Sequence, residues 1–341
     1  MMALTALIVV GAVTVYALQR PDRTDTTAAG NDTPSLPAPG APSSAVPSVP
    51  VPSVSASASK PPSSKPAPPA SKPAAQVKAA SRFPGRTSAG VPAGVNLSPY
   101  KGSCTITKSG TVIDSKDVGC SIIVKTSNVV IRKSKVTGTV KVEGDANSLR
   151  IEDSDIDGGQ AYEHTVGFEN LTVLRSDIIG GQTSVNCYHD CLIQDSFLHG
   201  QYVPEGDDWH LNAFLSNGGN NIKLVGNTLQ CDHVTNAAGG GCTANASIFG
   251  DFGPNANYTI TGNLFVASPQ MSYCLYGGYD AKKEFGTQVS NIVVTGNVFQ
   301  RGSNGKCASY GAVTSFDSGA SGNVWRDNVW DDGKAVPADR G

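Results

Sequence analysis

The sequence predicts an all-β protein: a right-handed single-stranded parallel β-helix of about eight coils, behind a disordered linker and an N-terminal apolar segment. Three observations predict it. One short template recurs eight times through the C-terminal two-thirds of the 341 residues. Apolar residues alternate with period two inside each copy, as in strands with one buried face. The first copies lie only 20, 22 and 20 residues apart, too close for strand–helix–strand crossovers but suited to a coil of three short strands.

Each copy centres on Ser or Asn: Ser134, Ser154, Ser176, Ser196, Asn227, Asn263, Asn297 and Asn328. Three residues earlier stand Ile131, Ile151, Val173, Ile193, Leu224, Ile260, Val294 and Trp325. Two residues later stand Val136, Ile156, Ile178, Leu198, Leu229, Phe265, Phe299 and Trp330. Stacked coils would place each such set in one inward column, with the Ser and Asn centres forming a hydrogen-bonded ladder. The residues just before the first four centres, Lys133, Asp153, Arg175 and Asp195, alternate in sign and predict an outward ladder of ion pairs. A β-sandwich also uses short strands, but would not hold one offset pattern through eight units.

The segment Asn291-Ile292-Val293-Val294-Thr295-Gly296-Asn297-Val298-Phe299 resembles the right-handed β-helix superfamily that includes pectate lyases and polygalacturonases. The resemblance spans roughly residues 120–332. It implies the fold and an enzyme acting on polysaccharide; the pectinase motifs of the superfamily are not recognisable here. Fold alone does not decide activity.

The chain divides into 1–23, 24–86 and 87–341. Residues 2–18 form an uncharged apolar run, read as an uncleaved signal-anchor in preference to a removed signal peptide. Residues 24–86 are mostly Pro, Ala, Ser and Val, with too little apolar surface to offset ordering entropy. Extended at ~3.1 Å per residue, such a linker reaches on the order of 190 Å. All eight cysteines follow it, and neighbours pair most simply: 104–120, 187–191, 231–242 and 274–307. His189 between Cys187 and Cys191 leaves a metal reading open, though an export route favours the disulfide. An extracellular or cell-surface monomer, held at a membrane by its N-terminal segment, is expected.

Residues 1–92 carry eight Lys or Arg and three Asp, leaving 18 basic and 25 acidic residues for the rest. A domain of net charge −7 without a basic patch argues against nucleic acid as a partner.

Later centres lie 31, 36, 34 and 31 residues apart, so those coils carry inserted loops at 201–209, 231–243, 268–272, 279–288 and 302–309. Such loops gather on one face of a solenoid and build its binding surface. They hold the densest polar constellation in the chain. Asp208, His210 and Asp251 are the expected catalytic set, brought to one groove by the stacking of coils. His199, Trp209, Asn212, Tyr273, Tyr276, Lys306 and Tyr310 are expected to contact a glycan, the rings by stacking on sugar faces. Paired carboxylates suit glycoside hydrolysis. Elimination on a uronate instead needs a base and a cation, and Asp207 with Asp208 could hold Ca²⁺ for it. The same two residues also read as ordinary surface-loop acids, and Asp251 as a turn acid. A hydrolase or lyase is therefore expected, with a non-catalytic glycan-binding or adhesive module as the alternative.

Overall fold

A computed structural model describes residues 82–340. The apolar segment 1–23 and the linker up to residue 81 lie outside the described residues. Within 82–340 the chain is all-β and no helix is present.

Twenty-eight strands form three parallel sheets of ten, nine and nine strands. The chain visits them in strict rotation. The first sheet runs from Ser98–Pro99 to Val329–Trp330, the second from Thr105–Ile106 to Gly311–Thr314, and the third from Val112–Asp114 to Val324–Arg326. Every pairing between successive turns is parallel, an arrangement consistent with a parallel β-helix. Sheets of nine and ten strands exceed the eight centres because short strands from residue 98 onward add turns before the template begins.

The inward columns follow the template offsets. In the third sheet Ile113, Ile131, Ile151, Val173, Ile193, Leu224, Ile260, Val294 and Trp325 lie in continuous register. In the first sheet Phe265 stacks on Phe299 with ring centroids 4.4 Å apart. Stacking like on like at the ~4.8 Å spacing of strands lets identical shapes fill one interior without gaps.

The centres form the expected ladder. Ser134 N–H donates to Ser154 Oγ (3.1 Å), and the chain of bonds continues through Ser176 and Ser196 to Asn227 Oδ1. Asn227, Asn263 and Asn297 each donate twice to the next Asn, from the backbone and from the side chain, and once to a strand carbonyl of the preceding turn. Buried amides and hydroxyls are thus satisfied inside an apolar interior.

The preceding position is chiefly a backbone constraint. Lys133, Asp153, Arg175 and Asp195 all adopt φ between 47° and 50°, and Gly226, Gly262 and Gly296 take their place in later turns. Left-handed backbone explains the shift to glycine. Of the expected charge ladder the structure joins Arg175 to Asp153, at 2.7 Å.

All four disulfides pair as the spacing suggests: Cys104–Cys120, Cys187–Cys191, Cys231–Cys242 and Cys274–Cys307. Four bridges in one domain fit an oxidising compartment.

Residues 82–91, partly read as linker, lie as a strap against the first sheet. Phe83 is buried with Leu264 and Val298. Pro84 O accepts from Thr228 Oγ1, Arg86 reaches His199, and Val91 N–H donates to Asp155 Oδ1. The strap therefore crosses successive turns in reverse order. At Gly90 (φ 90°) a Cβ would overlap the Asp155 carboxylate, so only glycine permits this approach.

Candidate functional site

The inserted loops flank the second sheet. Those at 201–209, 231–240, 266–272 and 300–310 join first-sheet strands to second-sheet strands, and that at 278–288 joins the second sheet to the third. Bridges 231–242 and 274–307 fasten two of them to this sheet.

Two columns run along the sheet between the loops. One contains His164, Thr183, Asn212 and Ala244 in register. The other begins at Lys141 paired with Gly167 and continues as Asn186, Leu215, Ser247, Tyr276 and Thr314. At ~4.8 Å per turn the second column extends roughly 29 Å.

Aromatic rings cluster on both rims. Trp209 packs edge-on against Tyr162 at 4.9 Å and faces Tyr202 at 6.5 Å. Further along, Tyr273 meets Tyr276 at 5.4 Å and Tyr310 at 5.8 Å, while Phe249 meets Tyr276 at 5.1 Å. Tyr162 is 64% and Tyr310 71% exposed, which leaves their ring faces open to solvent.

Of the expected catalytic set, Asp208 and His210 do lie together where the chain enters the second sheet. Asp251 does not join them. His210 pairs with Gly241 and Ser216 with Ile248, three residues short of Asp251. Six strand steps of ~3.3 Å put roughly 20 Å between the two ends. Stacking brings the chain back to the same sheet but not to the same point along a strand. His210 Nδ1 lies 3.2 Å from Thr243 Oγ1, and Asp251 is ion-paired with Lys283.

The expected ligand contacts divide as well. Trp209, Tyr273, Tyr276 and Tyr310 line the face. Lys306 is exposed in the 302–309 loop, its N–H donating to Asn304 Oδ1. Asn212 is buried, accepting a 2.6 Å bond from Ser247 Oγ, and acts in packing. His199 is 2% exposed on the first sheet beneath the strap, so substrate contact is corrected to a structural role. Asp207 and Asp208 are exposed loop acids, and among the described residues no group of three or more His, Cys, Asp or Glu could hold a metal.

Sequence reading missed a polar cluster where the second sheet turns into the third. An open groove of about 450 Å³ runs across five turns there, lined by Asp145, Glu169, Tyr188, His189, Asp190 and Phe252 among others. Burial, together with the neighbouring Asp145 carboxylate, holds the Glu169 carboxyl above the usual range, and His189 offsets this only in part. Tyr188 stacks on Phe168 at 5.4 Å, and the Asn186 side chain bonds its phenol. Behind Phe168, at 4.1 Å, lies His164. Burial pushes this imidazole down to about 4, aided by Lys141 and opposed by Glu163, so it is neutral at pH 7. His164 Nε2 and Asn186 Oδ1 are buried without hydrogen-bond partners. A signal for part of this cluster existed: Glu169 and His189 each stand seven residues before their centres, Ser176 and Ser196, and so stack.

No protein-family model, curated protein or solved structure matches the chain.

Proposed function

We propose that the chain is a right-handed parallel β-helix protein of the pectate-lyase-like kind, exported or anchored at the cell surface, that binds a polysaccharide along its second sheet and hydrolyses it. The observation that carries this reading is the loop-flanked sheet whose rims hold exposed rings at Tyr162 and Tyr310 and whose edge opens into the Glu169 groove. Rings spaced over several turns suit a chain of sugars laid along the axis, each stacking through its apolar face.

Glu169 and Asp145 supply the chemistry. A carboxyl kept protonated to higher pH by burial and a neighbouring carboxylate is poised as a general acid. Glu169 gives its proton to the glycosidic oxygen as the C1–O bond breaks. A water oxygen bonds C1, and its proton returns to the Glu169–Asp145 pair, whose carboxyls share a hydrogen bond. Four disulfides agree with work outside the cytoplasm.

The test is to incubate the full chain with a polysaccharide panel, reading both reducing ends and the absorbance of unsaturated uronates. New reducing ends without that absorbance support hydrolysis, and Glu169→Gln should then lower turnover at least ~100-fold. Binding without cleavage would instead establish a surface glycan-binding module. Neither binding nor cleavage across the panel would reject the reading.

A further inference from the structure

We propose that His164 is an acid-sensitive latch. When its buried imidazole takes up a proton, the corner Gly167–Asn170 and the Tyr188 ring against it swing open. The Glu169 groove then loses one wall while the coils around it stay folded.

His164 opens the second-sheet strand His164–Gly167 and is 3% exposed. Its imidazole occupies the space that a side chain at position 167 would fill. A Cβ added to Gly167 would come within 2.7 Å of the ring Cδ2 and 3.0 Å of Nε2. Phe168 covers the imidazole with ring centroids 4.1 Å apart, and Tyr188 of the next turn stacks on Phe168 at 5.4 Å and 22°. Tyr188 N–H also donates to Phe168 O at 3.0 Å, which couples the two rings. Tyr188 lines the groove, and Glu169 follows Phe168 in the chain. One ionisable ring thus underlies the two rings that carry this wall.

Among the described residues nothing in this corner is placed to receive an imidazolium. Nε2 is buried without a hydrogen-bond partner, and a protonated ring must place two N–H donors. The preceding turn faces it with Lys141, a like charge in register with Gly167. Its own strand is preceded by Glu163, already ion-paired with Lys141. The following turn offers only neutral groups: Thr183 in register with His164, Asn186, and the Tyr188 phenol. Glu169, one residue beyond Phe168, shares its hydrogen bond with Asp145. Burial first, then Lys141, therefore hold the imidazole neutral, with Glu163 opposing. The closed corner is favoured at neutral pH and loses that advantage as pH falls through the ordinary imidazole range toward 4.

Two features keep the opening local. Phe168 and Tyr188 are only half-buried, so turning them outward exposes little new surface. The Cys187–Cys191 bridge closes the base of the Tyr188 loop, and the inward residues Val166 and Val185 stay paired beneath it.

Hydrogen exchange of the full chain at pH 7, 5 and 4, read by mass spectrometry and corrected for the intrinsic rate at each pH, tests the corner directly and needs no glycan. Peptides covering 165–170 and 187–191 should lose protection by at least ~10-fold between pH 7 and pH 4. Peptides covering the distant third-sheet strands Asn255–Thr261 and Val289–Thr295 should keep theirs. His164→Phe, or His164→Gln where phenylalanine prevents folding, should hold the corner closed at pH 4. Unchanged protection of the corner across this range would overturn the proposal. So would an equal loss in every turn, or the same loss in a folded His164 variant.

Discussion

Asp177 Oδ1 lies 2.7 Å from His199 Nε2, and Arg86 Nη2 lies 3.3 Å from the other ring nitrogen. A guanidinium only donates, so Nδ1 must accept and Nε2 carries the proton given to Asp177. The pair thus ties two turns of the first sheet to the strap that crosses them, on a different sheet from the groove. His199→Ala would strand a carboxylate and a guanidinium beneath the strap. Stability should fall by about 2–3 kcal/mol in denaturant titrations, with glycan turnover or affinity unchanged. A loss of affinity without a loss of stability would return His199 to the binding face.

His164 makes stability depend on pH. Its folded value of about 4 lies below the ordinary 6.5, so the unfolded chain takes up a proton first as pH falls. The contribution is complete above pH 6.5 and is lost as pH drops toward 4. A shift of this size corresponds to on the order of 3 kcal/mol. Urea midpoints at intervals from pH 7 to 4 should show that loss, and His164→Phe should flatten it. An identical profile in the variant would mean that other groups set the acid limb.

Asn263 tests the interior ladder. Its Oδ1 accepts from the backbone and side chain of Asn227, and its amide donates to Leu224 O and Asn297 Oδ1. Asn263→Ala should cost about 3 kcal/mol or more, because several buried groups lose partners together. Asn263→Ser should cost less, since serine fills this position at Ser196 and Ser176. Equal losses in both variants would show that volume, not hydrogen bonding, governs the column.

The Cys274–Cys307 bridge closes a separation of 33 residues and anchors a loop beside Tyr310. Replacing both cysteines by serine should cost roughly 3–4 kcal/mol by chain entropy, read as a lowered Tm. Peptide mapping of the oxidised chain should recover four local pairs. A long-range partner for any cysteine would contradict the register.

Much of the architecture could be read from one line of residues because stacked turns repeat one local rule. Ile131 to Trp325 and Val136 to Trp330 were identifiable as columns from their offsets to Ser and Asn centres. Left-handed backbone before each centre is visible in hindsight as the Gly of Gly226, Gly262 and Gly296. Cysteine pairing was equally local, since each partner lies on the same or an adjacent turn.

The site was not local in that sense. A repeat assigns each residue to a sheet and a turn, but inserted loops of unequal length blur where along a strand it falls. That coordinate separates His210 from Asp251 despite their shared sheet, and it gathers Asp145, Glu169 and Asp190 from three successive turns into one groove. Burial adds a second layer that composition does not carry. His164 and His199 are alike as letters, yet one is desolvated behind Phe168 and the other is held under a strap that begins before the repeats do. Periodicity alone therefore specified the columns, because each contact there joins residues at one repeat offset. Only the folded chain decided the groove, because its electrostatics depend on distances between turns and on which side chains exclude water.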